Sequence, residues 1–248
     1  MNSESRENTP VIRLSDICYS YPGGPQVLKN LDLCVMPKDR IGILAPNGSG
    51  KTTLFHLIMG LLPPDQGTVE IFGKPAVTEK DFAGARKRIG LLFQDADDQL
   101  FCPTVIEDVA FGPLNMGMSR RDALETSRAT LSFLGLSEFE DRITYKLSGG
   151  EKKLVSLATV LAMSPEVLLL DEPLTGLDHD TRIKMFSVLR DLDLTHMVIS
   201  HDLDFLTAVS NEVYTMKDGK IMPDEDIHLH RHEHAHILGH MPHKHKHQ

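Results

Sequence analysis

The segment GILAPNGSGKTTLF, residues 42–55, constrains the fold more than any other stretch of the chain. It begins in a short apolar run, RIGILA at 40–45, which reads as a buried strand. A loop with Gly48 and Gly50 follows, then a helical pattern with Leu54, Leu57, Ile58 and Leu61 on one side. Pro63 and Pro64 stop that pattern, so the spacing predicts a helix over 51–62. A strand feeding a glycine loop and a helix N-terminus makes an anion cradle, because backbone N–H groups and the positive helix end face the same point. Lys51 adds a mobile positive charge for the outer phosphates of a nucleotide, and Thr52 a hydroxyl for Mg²⁺. The strict pattern G-x-x-x-x-G-K-[ST] has glycine where this chain has Ala45. Alanine is excluded only where the backbone needs a positive φ, and a strand-terminal residue does not. The loop is therefore expected to bind a nucleotide despite Ala45.

Two further segments carry the same chemistry. LLLDEP, 168–173, reads as a buried strand whose end puts Asp171 beside the phosphate loop, where a carboxylate can hold Mg²⁺. Glu172 follows and suits a general base that orients a water at the terminal phosphate. A solvated acidic turn is the bland alternative, and it loses ground once the phosphate loop stands upstream. KLSGGEKKL, 146–154, sets Ser148, Gly149 and Gly150 at the start of a helix expected over 148–163. That is a second anion site. Ser148 and Glu151 also form a capping box there, and cap and anion site use the same helix end.

The rest of the chain supplies the frame. Strands are expected at 11–21, 27–36, 67–73, 88–94, 166–173 and 196–200, with a hairpin at 212–222. Helices are expected at 119–134, where Ser119 and Asp122 suggest another capping box, and at 181–192. Strands alternating with helices imply an α/β fold with a mostly parallel sheet and right-handed crossovers, and the helical middle reads as an insertion. A chain of 248 residues can form one large domain or two closely packed lobes. Its net charge of −9 argues against a nonspecific nucleic-acid binder, so no nucleic-acid partner is expected. Cys18, Cys34 and Cys102 are far apart, as in a protein with reduced thiols. The polar start MNSESRENTP does not read as a secretory signal. No apolar run approaches the roughly 20 residues that cross a bilayer, so a membrane process would need other chains.

Six motifs occur in one order: the phosphate loop, FQDADDQLF, LSGGE, LLLDEP, LTGLD and the lone histidine of VISHD. In that order the chain resembles the ATPase subunits of ABC transporters, from about residue 11 to 222. FQDADDQLF together with DVAFGPLNMGMS is similar to one branch, the ATP-binding subunits of energy-coupling-factor importers of vitamins and transition metals. The resemblance implies a P-loop NTPase core, with a mostly parallel sheet, an N-terminal antiparallel β region and an inserted α-helical subdomain. It sets an ABC ATPase domain at 1–222, with the core at about 11–93 and 164–222 and the subdomain at about 94–163. It implies ATP and Mg²⁺, a homodimer of ATPase subunits sharing two sites, integral membrane subunits, and a peripheral place on the cytoplasmic face of the membrane.

Residue by residue, the resemblance puts Tyr21 against the adenine and Asn47, Gly48, Ser49, Gly50, Lys51, Thr52 and Thr53 around the phosphates. Thr52, Gln94 and Asp171 would meet Mg²⁺, with Gln94 also at the attacking water. Glu172 would polarise that water and His201 would contact the γ-phosphate. Ser148, Gly149 and Gly150 of the opposite subunit would close over the phosphate, and Asp178 would cross the dimer interface. Taken singly, Tyr21 also reads as an ordinary strand aromatic, His201 as a helix-cap residue and Gln94 as a polar loop residue. The sequence departs from the family pattern at Ala45, and at Leu154, where arginine is common. Glu151 stands for the commoner glutamine. In the family, FQDADDQLFCPTV borders a groove that receives a short helix of the membrane subunit. Leu100, Phe101 and Val105 are candidates for its apolar lining, with core packing as the alternative.

From residue 223 the composition changes, and nine of the thirteen histidines fall in this tail. His228, His230, His232, His234 and His236 alternate, so an extended chain puts them on one side. A helix would instead line up His228, His232, His236 and His240. Either way imidazoles cluster, and imidazole suits Ni²⁺, Co²⁺, Cu²⁺ and Zn²⁺. The tail reads as a buffer, sensor or reservoir for a transition metal, against a solvated tail with no role. The favoured expectation is the ATPase of a nickel or cobalt importer. The alternatives are the ATPase of a vitamin importer of the same branch, a soluble ABC ATPase of DNA repair or translation, and a soluble metal-storage or chaperone protein regulated by nucleotide.

Overall fold

The computed structural model describes residues 9–223. The tail histidines His228, His230, His232, His234, His236 and His240 lie outside the described residues.

Strands β1 (Ile12–Ser20), β2 (Gln26–Val35), β4 (Gln66–Ile71) and β5 (Lys74–Pro75) form an antiparallel sheet in the order β2-β1-β4-β5. A second sheet takes β3 (Arg40–Leu44), β6 (Ile89–Leu92), β7 (Val167–Asp171), β8 (Thr195–Ser200), β9 (Glu212–Lys217) and β10 (Lys220–Pro223) in the order β10-β9-β3-β8-β7-β6. Its neighbours are parallel except for the terminal β9–β10 hairpin. The fold is an α/β phosphate-loop core with a mostly parallel sheet, an antiparallel β region and a helical subdomain.

The apolar runs of the central strands follow from burial on both faces. Along β7, Val167 and Leu169 join a core shared with the antiparallel sheet and α1 (Lys51–Ile58), which contributes Leu54, Phe55, Leu57 and Ile58. The alternate residues Leu168 and Leu170 join the core on the other face. That second core is closed by α3 (Val105–Asn115), α4 (Arg120–Phe133), α5 (Gly149–Leu161), α6 (His179–Asp191) and α7 (Leu203–Val209). A short helix α2 (Glu79–Ala85) precedes β6.

Several local expectations shift. Helix α1 stops at Ile58, and Gly60, with φ +67, turns the chain away. Leu61, expected on the helix's apolar side, is exposed. Ser119 accepts from the Asp122 N–H, but its hydroxyl bonds the Asp122 carboxylate, so the reciprocal half of a capping box is not formed. Ser148 and Glu151 do form the full box at α5. Helix α6 begins at His179 with Asp178 as its cap. Leu154 is buried in the second core, so an apolar side chain at that position is accommodated by packing.

Candidate active site

The site forms where β3, β7 and β8 end side by side, because parallel strands deliver their C-terminal loops to one edge. After β3 the chain passes through Gly48, φ +80, and Gly50, φ +97, into α1. Gly50 needs its glycine twice over: the φ is left-handed, and a Cβ there would stand 2.8 Å from Val27 Cγ1. Ala45 is buried at 1% exposure, its N–H donates to Ser200 O, and it is not among the residues with positive φ. The physical objection to alanine in the loop therefore does not arise.

Lys51 is the hub. Its ammonium sits 2.6 Å from Glu172 Oε1 and donates to Asn47 Oδ1 at 3.2 Å. Both partners of the ion pair are almost fully buried. Glu172 Oε2 also meets His201 Nδ1 at 3.0 Å and accepts from the Thr175 hydroxyl at 3.3 Å. Burial pushes the Glu172 carboxyl up, but the hydrogen bonds and charges of Lys51 and His201 outweigh it and hold it below the usual range. Glu172 itself has φ +46, a left-handed conformation that is costly for a side chain of this size and is met at functional sites. Its N–H is fixed by Ile199 O at 2.9 Å.

Asp171 points into the same space and accepts from the Thr52 hydroxyl at 2.7 Å through Oδ2. Its other oxygen, Oδ1, is buried with no hydrogen-bond partner among the described residues, as is Ser49 Oγ. A buried orphan carboxylate oxygen next to a hydroxyl fits Mg²⁺, which takes oxygen donors. Burial pushes the Asp171 carboxyl up, with the Thr52 hydroxyl and Lys51 opposing. Gln94, Thr52 and Asp171 line one cleft of about 920 Å³, together with Gly149, Lys153 and Thr175.

Tyr21 is half-exposed just beyond β1, packs edge-on against Tyr19, and shares a hydrogen bond of 3.0 Å with Thr53 Oγ1. It is thus tied to the phosphate loop rather than buried as a strand aromatic. His201 is exposed, and the helix cap is its neighbour Asp202. Ser148 and Gly149 start α5 with no atom near a Cβ placed on Gly149. Gly150 packs against Asp178 and Thr181 at the start of α6. The structure thus brings Asn47, Lys51, Thr52, Asp171, Glu172 and His201 together, while Ser148 caps a separate helix end.

Two residues at the site escape the sequence reading. Thr175 binds Glu172, and its only signal is a place in LTGLD next to the named Asp178. Lys153 is 2% exposed and donates to Phe93 O at 2.8 Å and Gln94 O at 2.7 Å. Burial pulls its ammonium down to about 8, against the nearby charges of Asp171, Asp95 and Glu172. A double lysine in EKK reads as solvent-facing, and only the long-range approach of the 93–94 loop buries one of the pair.

A phosphate loop after β3, a carboxylate pair at the end of β7 with β8 between the two strands, and a helical lobe carrying a second anion cradle define a nucleotide-hydrolysing engine of the P-loop class. The family model "ABC transporter" matches residues 28–175, and the chain belongs to that family. A protein of Nitratidesulfovibrio vulgaris, provisionally described as an ABC transporter ATP-binding protein, is 49% identical over 95% of this chain and 86% of its own length. The energy-coupling factor transporter ATP-binding protein EcfA of Methanocaldococcus jannaschii is 41% identical over 86% of this chain and 78% of its own. Among solved structures, cbiO1 from Clostridium perfringens, part of the ABC transporter complex cbiONQ, superposes with a TM-score of 0.77 at 33% identity, covering 87% of this chain and 88% of cbiO1. A dimeric ATP-binding cassette in a post-hydrolysis state with ADP and Pi superposes with a TM-score of 0.78 at 26% identity, over 85% of this chain and 96% of the cassette. The chain is the ATP-binding subunit of an ABC-type transporter, an ATPase that uses ATP with Mg²⁺. Among the described residues no helix is long and apolar enough to cross a membrane.

Proposed function

We propose that this ATPase powers an energy-coupling-factor importer of a transition metal ion, nickel or cobalt, through separate membrane subunits on whose cytoplasmic face it sits. The observation that carries the metal is the alternation of His228, His230, His232, His234 and His236 in the tail. The likeness to EcfA and cbiO1 supports the importer class. The division that goes with this reading is a core at about 11–93 and 164–222, a helical subdomain at about 94–163 and a tail at 223–248.

The mechanism rests on the Lys51–Glu172 pair. The two side chains satisfy each other in the buried site, so the base is occupied as long as Lys51 holds it. The phosphates draw Lys51 away and leave Glu172 free to take a proton from water. His201 and Thr175 keep hold of its second oxygen and so fix its direction. Thr52, Asp171 and Gln94 would hold Mg²⁺, which supplies charge neutralisation on the phosphates. Tyr21 offers the adenine a ring already braced by Tyr19 and Thr53. Two copies complete each other, with Ser148, Gly149 and Gly150 of one closing over the phosphate of its partner and Asp178 at the seam. Hydrolysis then waits for donors that a second subunit brings.

The membrane subunits dock on an apolar groove of about 270 Å³ that includes Leu61, Phe101, Phe111 and Met163. Phe101 and Phe111 are exposed and meet edge to face, 4.7 Å apart. Of the other two lining candidates, Val105 is fully buried core and Leu100 packs inward on the second core, so of the three only Phe101 is exposed in the groove.

The test is uptake of labelled nickel and cobalt by cells that carry the chain with its membrane subunits, with and without residues 228–248. Metal uptake that depends on the ATPase, and whose response to scarce or excess metal changes on tail deletion, is expected. Calorimetry should show sharply weaker Ni²⁺ or Co²⁺ binding by the truncated chain, and weaker binding by the full chain below about pH 6, where imidazole is protonated. Equal metal affinity in both forms would remove the main reason for choosing a metal over a vitamin.

A further inference from the structure

Outside the residues assigned to nucleotide, Lys153 is a second buried lysine beside Lys51. Strand β6 ends at Leu92, and Phe93 and Gln94 leave the sheet towards the cleft shared with Thr52 and Asp171. Their carbonyl groups turn to Lys153 of α5, whose ammonium donates to Phe93 O at 2.8 Å and Gln94 O at 2.7 Å and forms no ion pair among the described residues. At 2% exposure the side chain cannot be a solvated surface lysine. The same helix holds the same loop at further points. Gln99 takes the Phe93 N–H on its oxygen at 3.2 Å and donates its amide to Ser156 O and Thr159 Oγ1, each at 3.0 Å. Lys152 reaches Asp97 at 2.5 Å, but Asp97 is largely exposed, and a solvent-exposed pair of this kind adds little. The better shielded rungs are those of buried Lys153 and half-buried Gln99.

We propose that Lys153 is a positioning residue for hydrolysis: by gripping the carbonyl groups of Phe93 and Gln94 it fixes Gln94 in the cleft and makes that glutamine move with the helix that Ser148 begins. The inference rests on the role given to Gln94 under the proposed function. Its physical basis is that a loop leaving a sheet has lost the ladder that would define it, and two charge-assisted hydrogen bonds to consecutive carbonyl groups replace that ladder. A second consequence follows from the helix itself. On the shared site of the proposed function, the Ser148 end of α5 meets the partner's nucleotide, so the grip would connect the state of one ATP site to the glutamine of the other.

The experiment is a double-mutant cycle on the full chain, read as Mg-ATP affinity, KM and kcat. Lys153→Met keeps the apolar stem and removes the donors. Mg-ATP affinity and KM are expected to stay within about threefold of the parent while kcat falls at least tenfold, because the loop acts on turnover rather than on binding. Gln94→Ala is expected to lower kcat to a similar extent. The double variant should be no slower than the slower single one, because both changes remove the same contribution. If Lys153→Met does not yield a folded chain, Lys153→Gln, which keeps an N–H donor but is one bond shorter, takes its place in the cycle with the same expectation. Parental kcat in the Lys153 variant, or losses that multiply in the double variant, would overturn the proposal. Parental kcat in Gln94→Ala would overturn it too, together with the role of Gln94. The nucleotide-site reading itself is tested apart from both, by ATP binding to Lys51→Ala.

Discussion

Replacing Glu172 with glutamine should move two observables in opposite directions. Glu172 holds the Lys51 ammonium at 2.6 Å, with the two side chains 3% and 7% exposed. Solvent therefore screens the pair little. The amide oxygen still accepts from the Lys51 ammonium but carries no opposite charge; charge-assisted hydrogen bonds are roughly twice as strong as neutral ones, so a bond that loses one of its two charges weakens by about 1 kcal/mol. The amide thus frees Lys51 for the phosphates at about 1 kcal/mol less cost, which corresponds to about fivefold tighter ATP binding. The amide cannot take a proton from water, so turnover should fall by about 10²–10⁴-fold. With the amide oxygen kept on Lys51, the NH2 turns to His201 Nδ1 and the Thr175 hydroxyl, both of which can accept, so the loop should not collapse. Calorimetry with Mg-ATP gives the affinity, phosphate release the turnover, and size-exclusion chromatography with ATP should reveal a trapped dimer. Weaker ATP binding, or turnover like the parent's, would refute the idea that Glu172 is a base held by Lys51 until ATP arrives.

Three further outcomes are expected. Ala45→Gly should leave ATP affinity unchanged and lower stability by about 0.5–1 kcal/mol in a melting experiment, whereas Gly50→Ala should lose ATP binding, because a Cβ at φ +97 stands 2.8 Å from Val27. Ser148→Arg should suppress turnover and the ATP-dependent dimer while each chain still binds ATP; a normal dimer with normal activity would remove the shared-site mechanism. The third outcome concerns His196, which is buried with Nε2–H donating to Val209 O and whose ionisation burial pulls down to about 4. Since its unfolded form protonates first, the stability it contributes is complete above about 6.5 and is lost as pH falls from there through about 4, up to about 3 kcal/mol. His196→Gln keeps a donor for Val209 and does not titrate, so the urea midpoint should fall less steeply over that range; an unchanged slope would show that His196 is not the sensor.

The features legible in the sequence are those written in consecutive residues. The phosphate loop, the end of β7 and the start of α5 each need one strand or helix end and a few flanking residues, and each forms as read. Parallel pairing of β3, β7 and β8 then brings Lys51 to Glu172 and Thr52 to Asp171 without any further local signal. Helix α3 was less legible because Gly112 and Pro113 lie inside it, although Thr104 and Glu107 write its capping box plainly. Helices α2 and α7 are too short to show two full periods of an apolar face. The burial of Lys153 and of Val105 depends on segments distant in sequence that pack over them, so neither could be placed from its neighbours.

The account stands on the claim that the segment opening with Ala45 is a working ATP cradle with Lys51 at its centre. Calorimetric titration of Mg-ATP into the parent chain and into Lys51→Ala tests it most directly. The parent should bind tightly, and the variant should lose tight binding, because a charge-assisted phosphate contact disappears. Equal affinity in the two proteins would contradict the claim.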